Sequence, residues 1–166
     1  MKPVKMKRRR EGKTDYKARL ALLKSEKPRI VFRKTNKYII GQYIKSKEAR
    51  DKVIIGVNSK ELQKYNWPKN PPASLKSISA SYFTGLLLGK KIQDKEETPE
   101  VIFDIGLLRS TNKSKCYSFL KGIIDSGIKI KTKETVFPDE KRIAGEHLKN
   151  KIDFNKIKQN IEKKFV

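Results

Sequence analysis

A single cysteine, Cys116, leaves this chain no internal disulfide framework and no cysteine zinc site. Its plain reading is a small, half-buried side chain on a helix. A single histidine, His147 beside Glu146, cannot assemble a Ser/His/Asp or Cys/His nucleophile set and reads as structural. Apolar runs reach only three or four residues, as at Leu86–Leu88, far short of the about 20 that span a bilayer. The first residues carry basic charge but no apolar stretch behind it, so no secretory signal is expected. Together these features place the chain inside the cell. Acidic residues are also scarce: 18 Asp+Glu stand against 41 Lys+Arg, a net charge of +23.

That imbalance is the most informative property of the sequence. A charge of +23 on 166 residues repels itself in a compact state, so it implies a polyanionic partner that neutralises it. Nucleic acid fits first. An anionic membrane ranks second, but lipid attachment needs a strong apolar moment, a long span or a lipidation motif, and none stands out. The length suits one domain with a real core.

The positive charge is densest at the start. Lys2, Lys5, Lys7, Arg8, Arg9, Arg10 and Lys13 are interrupted by one acid, Glu11. Such a segment cannot bury enough apolar surface to offset the entropy lost on ordering, so residues 1–13 read as a mobile arm that orders on a polyanion. Thr14 is a plausible N-cap, with Asp15 in the first turn, for a short helix whose Tyr16, Leu20 and Leu23 form an apolar stripe. Lys17, Arg19 and Lys24 lie off that stripe, and Pro28 ends the helix.

Three strand patterns follow, Arg29–Arg33, Tyr38–Ile44 and Lys52–Val57, the first two joined by the basic connection Lys34-Thr35-Asn36-Lys37. Asn58-Ser59-Lys60-Glu61 has the form of a capping box opening a short helix to about Tyr65. The proline-rich loop of residues 66–74 holds Trp67, expected to be its anchor. A helix over Ala80–Ile92 carries Ser81, Gly85 and Gly89 four apart, a smooth face for close packing on the sheet. Val101–Ile105 reads as a buried strand, Gly106–Lys113 as a turn and Lys115–Ser126 as a helix closed by Gly127. Lys129–Phe137 is a linker or short edge strand. Pro138-Asp139-Glu140 opens a helix to about Leu148, and residues 149–166 carry Phe154, Ile157, Ile161 and Phe165 at helical spacing with a basic outer face. The fold class is α/β: a mixed sheet, made of a three-strand meander and a crossover strand parallel to the third, with helices packed on it. The organisation is a basic arm (1–13), a globular domain (14–148) and a basic amphipathic C-terminal helix (149–166).

Enzyme chemistry finds no support. The loop Gly106–Ser114 offers Arg109, Ser110, Thr111, Lys113 and Ser114 at a helix N-terminus, a good phosphate setting. As a nucleotide-binding loop it fails, because Thr111 stands where the second glycine belongs and Asn112 where the lysine belongs. A static site for RNA phosphate fits the same residues. A metal nuclease needs several carboxylates at strand ends, yet the first strand has none and Asp104 is isolated, which suggests a structural hydrogen-bonding role. No catalytic residue, metal site, cofactor or small-molecule substrate is expected.

Six stretches in one order, RRREGKTDYKARLALL, RKTNKYIIGQYI, YFTGLLLGKK, VIFDIGLLRST, FLKGIIDSG and PDEKRIAGEHL, resemble a single family. It is the large-subunit ribosomal protein that binds 5S ribosomal RNA, L-eighteen in the universal nomenclature, in its archaeal–eukaryotic branch. The resemblance spans roughly Lys7 to Leu148. It implies a structural, non-enzymatic protein of the cytoplasmic ribosome. That protein lies in the central protuberance of the large subunit and touches 5S rRNA, large-subunit rRNA and a neighbouring 5S-binding ribosomal protein. It also implies that Arg8, Arg9, Arg10, Lys13, Tyr16 and Arg19 belong to an N-terminal RNA-binding stretch. Arg33, Lys34, Thr35, Asn36, Lys37 and Tyr38 match a basic hairpin, and Arg109, Thr111, Ser114 and Lys115 match the turn after the fourth strand. With Lys7, Thr14, Ser110 and Lys113 these make the expected RNA-binding set. The chain departs from the family at Ser110, usually Pro, at Lys113, often Gly, and at Ile78-Ser79, often Thr-Pro. The alternative class is a free-standing basic nucleic-acid-binding protein of the chromatin type.

Overall fold

β-Branched and aromatic residues build the middle of the sheet without help from a glycine turn. In the computed structural model, which describes residues 4–69, 72–96, 100–148 and 152–165, β1 (Arg29–Lys34) and β2 (Ile39–Lys47) pair antiparallel with Arg33 opposite Ile40. Thr35 closes their connection: its N–H and its hydroxyl both donate to the Tyr38 carbonyl at 2.9 Å. The second hairpin runs further than its sequence pattern predicts. β2 continues to Lys47 and β3 spans Arg50–Asn58, because Glu48 and Ala49 turn the chain in the left-handed region at φ 52° and 60°. Neither residue is a usual turn signal there, so the sequence hides this corner.

Asn58 caps the following 3₁₀ helix (Ser59–Tyr65), and the Glu61 side chain accepts back from the Asn58 N–H at 3.1 Å, completing the capping box. Trp67 anchors the next loop as expected, buried with its indole N–H on the Ala73 carbonyl at 3.1 Å. The long helix α3 is Ile78–Gln93, capped by Ser77, whose hydroxyl accepts from the Ala80 N–H. It crosses above β2 and β3 and delivers the chain to the free edge of β1, where β4 (Ile102–Asp104) pairs parallel. The strand order is β3-β2-β1-β4. β4 therefore runs in the direction of β3, as the crossover predicts, but its hydrogen-bonded partner is β1.

Alternation along β1 separates two environments. Ile30 and Phe32 enter the main core with Tyr43, Ile55, Phe83, Leu86, Leu87 and Phe119. Arg29 and Arg33 point to the other face, where α1 (Lys7–Arg10) and α2 (Tyr16–Lys24) lie. The expected arm thus contains a helical turn of its own. The N-cap of α2 is Asp15, not Thr14: its carboxylate accepts from the N–H groups of Lys17 and Ala18, which a shorter threonine hydroxyl one residue earlier does not reach. The expected apolar stripe does not seat α2 on the core. Leu20 is 55% exposed and no residue of α2 is buried.

The glycines of α3 face a helix, which overturns the expectation that they pack on the sheet. A Cβ on Gly85 would overlap the Phe119 carbonyl, and one on Gly122 would overlap the Tyr82 carbonyl, so α3 and α4 (Lys115–Asp125) approach backbone to backbone. Ser81 and Ser118 lock the pair by donating to the carbonyls of Lys115 and Ile78. After α4 no strand forms in residues 129–137, only a single 3₁₀ turn at Glu134–Val136. α5 is short, Glu140–Ala144, because Gly145 turns left-handed at φ 82° and ends it before the expected Leu148. α6 (Phe154–Glu162) packs Ile157 and Ile161, both fully buried, against α3 and the 3₁₀ helix. The expected ends of that helix, residues 149–151 and 166, lie outside the described residues.

The interlock at Gly122 gives a stability prediction. Gly122→Ala forces a methyl against the Tyr82 carbonyl and must push α3 and α4 apart, so it should lower unfolding free energy by about 1–3 kcal/mol in urea melts. An unchanged midpoint would show that the helices tolerate a wider spacing.

Candidate nucleic-acid interface

The face of the sheet that carries Arg29 and Arg33 is charged, and its geometry follows from pairing. Arg29 is 3% exposed, and a buried guanidinium must be compensated. It donates to Asp51 at 2.5 Å and to Ser46 at 3.1 Å, and its other terminal nitrogen lies 3.8 Å from Asp104. Asp51 also accepts from Arg19 at 2.8 Å, tying α2 to the tip of the β2–β3 hairpin. Asp104 accepts from Arg33 at 3.3 Å and from the N–H of Gly106 at 2.7 Å. The charges therefore alternate across the sheet as Arg19, Asp51, Arg29, Asp104, Arg33. Asp104 has the structural role its isolation suggests.

Burial alone would raise the Asp51 carboxyl. Hydrogen bonds from Ser46 and Arg19 and the charges of Arg29 and Arg19 outweigh it and hold the group below its ordinary value of 3.8.

Above this row the chain forms an open groove of about 770 Å³ between the arm, α2, β1 and the turn after β4. Arg8, Lys13, Thr14, Arg19, Arg33 and Lys34 line it. Thr14 accepts from the Arg8 Nε at 2.9 Å and so holds the arm's helical turn over the groove. The two acids on the wall, Asp15 and Asp104, are both engaged internally, Asp15 by the α2 cap and Asp104 by arginine, so the cations dominate the open side. Lys7, Arg9 and Arg10 stand exposed on α1, while Lys13 makes only an exposed pair with Glu11.

The hairpin extends this surface. Asn36 and Lys37 are exposed at its tip, and Tyr38 is half-buried at its base. Lys34 lies near Lys115 at the start of α4, with Lys76 as a third cation. Desolvation, followed by the charges of Lys34 and Lys76, lowers the Lys115 pKa. The charges of Lys34 and Lys76 are thus felt at Lys115, and positive potential concentrates at the start of α4. Lys76 was missed in the sequence because the preceding proline-rich loop gives no periodicity to place it.

The turn before α4 divides. Arg109 and Thr111 are exposed. Ser110 instead shares a hydrogen bond with Tyr117 at 2.6 Å, Lys113 pairs with Asp139 at 3.0 Å, and Ser114 meets Cys116 at 3.0 Å. Lys113 sits left-handed at φ 58°, which explains the preference for glycine that the resemblance implies at this position. Of the expected contacts, the arm, α2, β1 and the hairpin converge on one surface; Arg109–Thr111 and Lys113 do not line its groove. Among the described residues no three His, Cys, Asp or Glu side chains gather as a metal cage, and no helix is long and apolar enough to cross a membrane.

The chain is similar to known proteins over most of its length. A family model described as ribosomal large subunit proteins 60S L5 and 50S L18 matches residues 2–100. The large ribosomal subunit protein uL18 of Korarchaeum cryptofilum is 46% identical over 162 residues, covering 98% of this chain and 80% of that protein. The proteins of the same name from Methanoregula boonei and Methanothermobacter thermautotrophicus are 39% and 40% identical, over 87% and 85% of this chain and 80% and 71% of theirs.

The alternating charge row predicts a pH signature. Because the Asp51 pKa is depressed in the fold, its stabilisation is fully present above the ordinary carboxylate value and is lost as pH falls through the depressed one. Asp51→Asn should cost about 2–3 kcal/mol at pH 7, the low end for a buried pair because a quarter of the side chain is exposed. The gap between variant and wild type in urea melts should close below about pH 4. A gap independent of pH would locate the effect elsewhere.

Proposed function

The chain belongs to the family of ribosomal large subunit proteins 60S L5 and 50S L18, and from that footing we propose that it binds 5S rRNA and anchors it to the large-subunit rRNA in the central protuberance. Its role as a structural component of the large subunit of the cytoplasmic ribosome, not an enzyme, follows from the family. The finer reading is supported above all by one observation: arm, α2, β1 and hairpin, distant in sequence, present Arg8, Lys13, Arg19, Arg33 and Lys34 around one groove.

In this reading Arg8, Arg9, Arg10, Lys13 and Lys34 neutralise phosphates and release counterions, giving affinity that falls steeply with salt. Arg19 and Arg33 are each held by an internal carboxylate and by backbone carbonyls, so their direction is fixed before binding and they act on RNA through their charge at the groove wall. Asn36, Lys37 and Tyr38 at the hairpin suit exposed bases and backbone of a folded RNA. Lys34, Lys76 and Lys115 take a further phosphate near the N-terminus of α4. A neighbouring 5S-binding ribosomal protein completes the set of partners.

Replacing Arg8, Arg9 and Arg10 with Ala should weaken 5S rRNA binding and reduce the slope of log affinity against log salt by about 2–3, one phosphate contact contributing nearly one unit. Competition with duplex DNA of equal length should favour 5S rRNA strongly. Equal affinity for both would point instead to a free-standing basic nucleic-acid binder, and an unchanged slope would remove the arm from the interface.

A further inference from the structure

The groove lies on one side of the sheet. On the other side, beyond α3, the outer face of α6 has a different chemistry. Ile157 and Ile161 are fully buried, and Phe154 packs on Phe83 with ring centroids 4.9 Å apart, so the orientation of α6 is fixed. The opposite side of the helix exposes Asn155, Lys156, Gln159 and Lys163. The adjacent 3₁₀ helix exposes Lys60 and Lys64, and Lys164 covers the ring of its Tyr65 at 5.5 Å. Among the described residues, no carboxylate lies within ion-pair distance of Lys60, Lys64, Lys156 or Lys163. The one acid of α6, Glu162, is half-buried, and its charge is felt at the internal Tyr82 hydroxyl.

We infer that this face is a second RNA-binding surface, which takes the shallow minor groove of an A-form RNA helix while the groove on the far side holds another RNA segment. Charge complementarity selects a polyanion. The amides select among polyanions: Asn155 and Gln159 each donate and accept, matching the 2′-hydroxyls and base edges that only the RNA minor groove displays together. Lys156 and Lys163, two helical turns or about 10 Å apart along the axis, flank Gln159 and reach phosphates on either side of it. A membrane would need large exposed apolar residues on this face, and among the described residues it has none. The surface goes beyond the 5S reading and does not depend on which RNA occupies the groove.

The test uses the full chain carrying the Arg8, Arg9 and Arg10 to Ala changes, so that the arm does not compete, with and without Lys156→Ala/Gln159→Ala/Lys163→Ala. Binding is measured against an RNA duplex of about 16 base pairs, the span over which a protein meets successive minor grooves, and against DNA of the same sequence. The triple change should weaken RNA-duplex binding at least tenfold and lower its salt slope by about 2, for two phosphate contacts. Thermal unfolding should be unaltered, since all three side chains are exposed. Gln159→Ala alone should reduce binding to RNA and leave binding to DNA as it was. In the otherwise wild-type chain, the triple change should leave 5S rRNA affinity within twofold. The inference is overturned if RNA-duplex affinity is unchanged, if RNA and DNA lose equally, or if 5S rRNA affinity falls with that of the duplex. A wild-type chain that ignores 5S rRNA, with α6 still required for the RNA duplex, would unseat the 5S reading alone.

Discussion

A buried arginine that needs carboxylates from both edges of the sheet governs the charged half of this protein. Arg29 is central, on β1, and Asp51 and Asp104 reach it from β3 and β4. Taking a guanidinium from water is costly, and pairing offsets the cost only when the geometry is good. The same two acids then hold Arg19 and Arg33, so compensation of one buried charge also orients two arginines at the surface. In a chain with a net charge of +23, this row also reduces self-repulsion where cations are densest. Among the described residues the buried Nε of Arg29 has no hydrogen-bond partner, so the compensation they provide leaves one donor unmet.

The apolar half depends on backbone contact between two helices. Gly85 and Gly122 each lie beneath a carbonyl of the other helix, which fixes the position of α4 along α3. Phe119, on the same helix, fills the space under Gly41 of β2 and packs on Phe32 at 5.2 Å. With α4 set in this way, its first residue, Lys115, comes close to Lys34 on the hairpin. A concentration of positive charge thus follows from packing that is itself apolar. The cationic surface is not a layer added to the fold; its spacing comes from the core.

Much of this was legible in the chain. The charge imbalance named the partner class, because no folded arrangement of these residues removes it. β-Branched runs marked the strands, the Asn58–Glu61 box marked a helix start, and the glycine spacing in α3 marked a close approach. Less legible were the partners. The glycines met a helix and not the sheet, and the crossover that makes β4 parallel to β3 did not say that it pairs with β1, because periodicity reports that a face is buried but not against what. The Glu48-Ala49 corner was hidden since ordinary residues adopt left-handed angles there under tertiary constraint. In α2, Leu20 fell on an apolar stripe by spacing yet faces solvent, because Arg19 and its carboxylate hold the helix in place.

For the interface the division is clear. By itself the sequence determined that the protein carries a cationic surface rich in arginine at its N-terminus, since net charge does not depend on folding. Tertiary structure decided which cations act together. Lys113 and Arg109 are neighbours of Lys115 in the chain, yet only Lys115 joins Lys34 and Lys76, and only the arm, α2 and β1 arginines share the groove. The reason is physical: a cation's reach is set by the carboxylate that holds it, and for Arg19 and Arg33 those partners are 32 and 71 residues away in sequence.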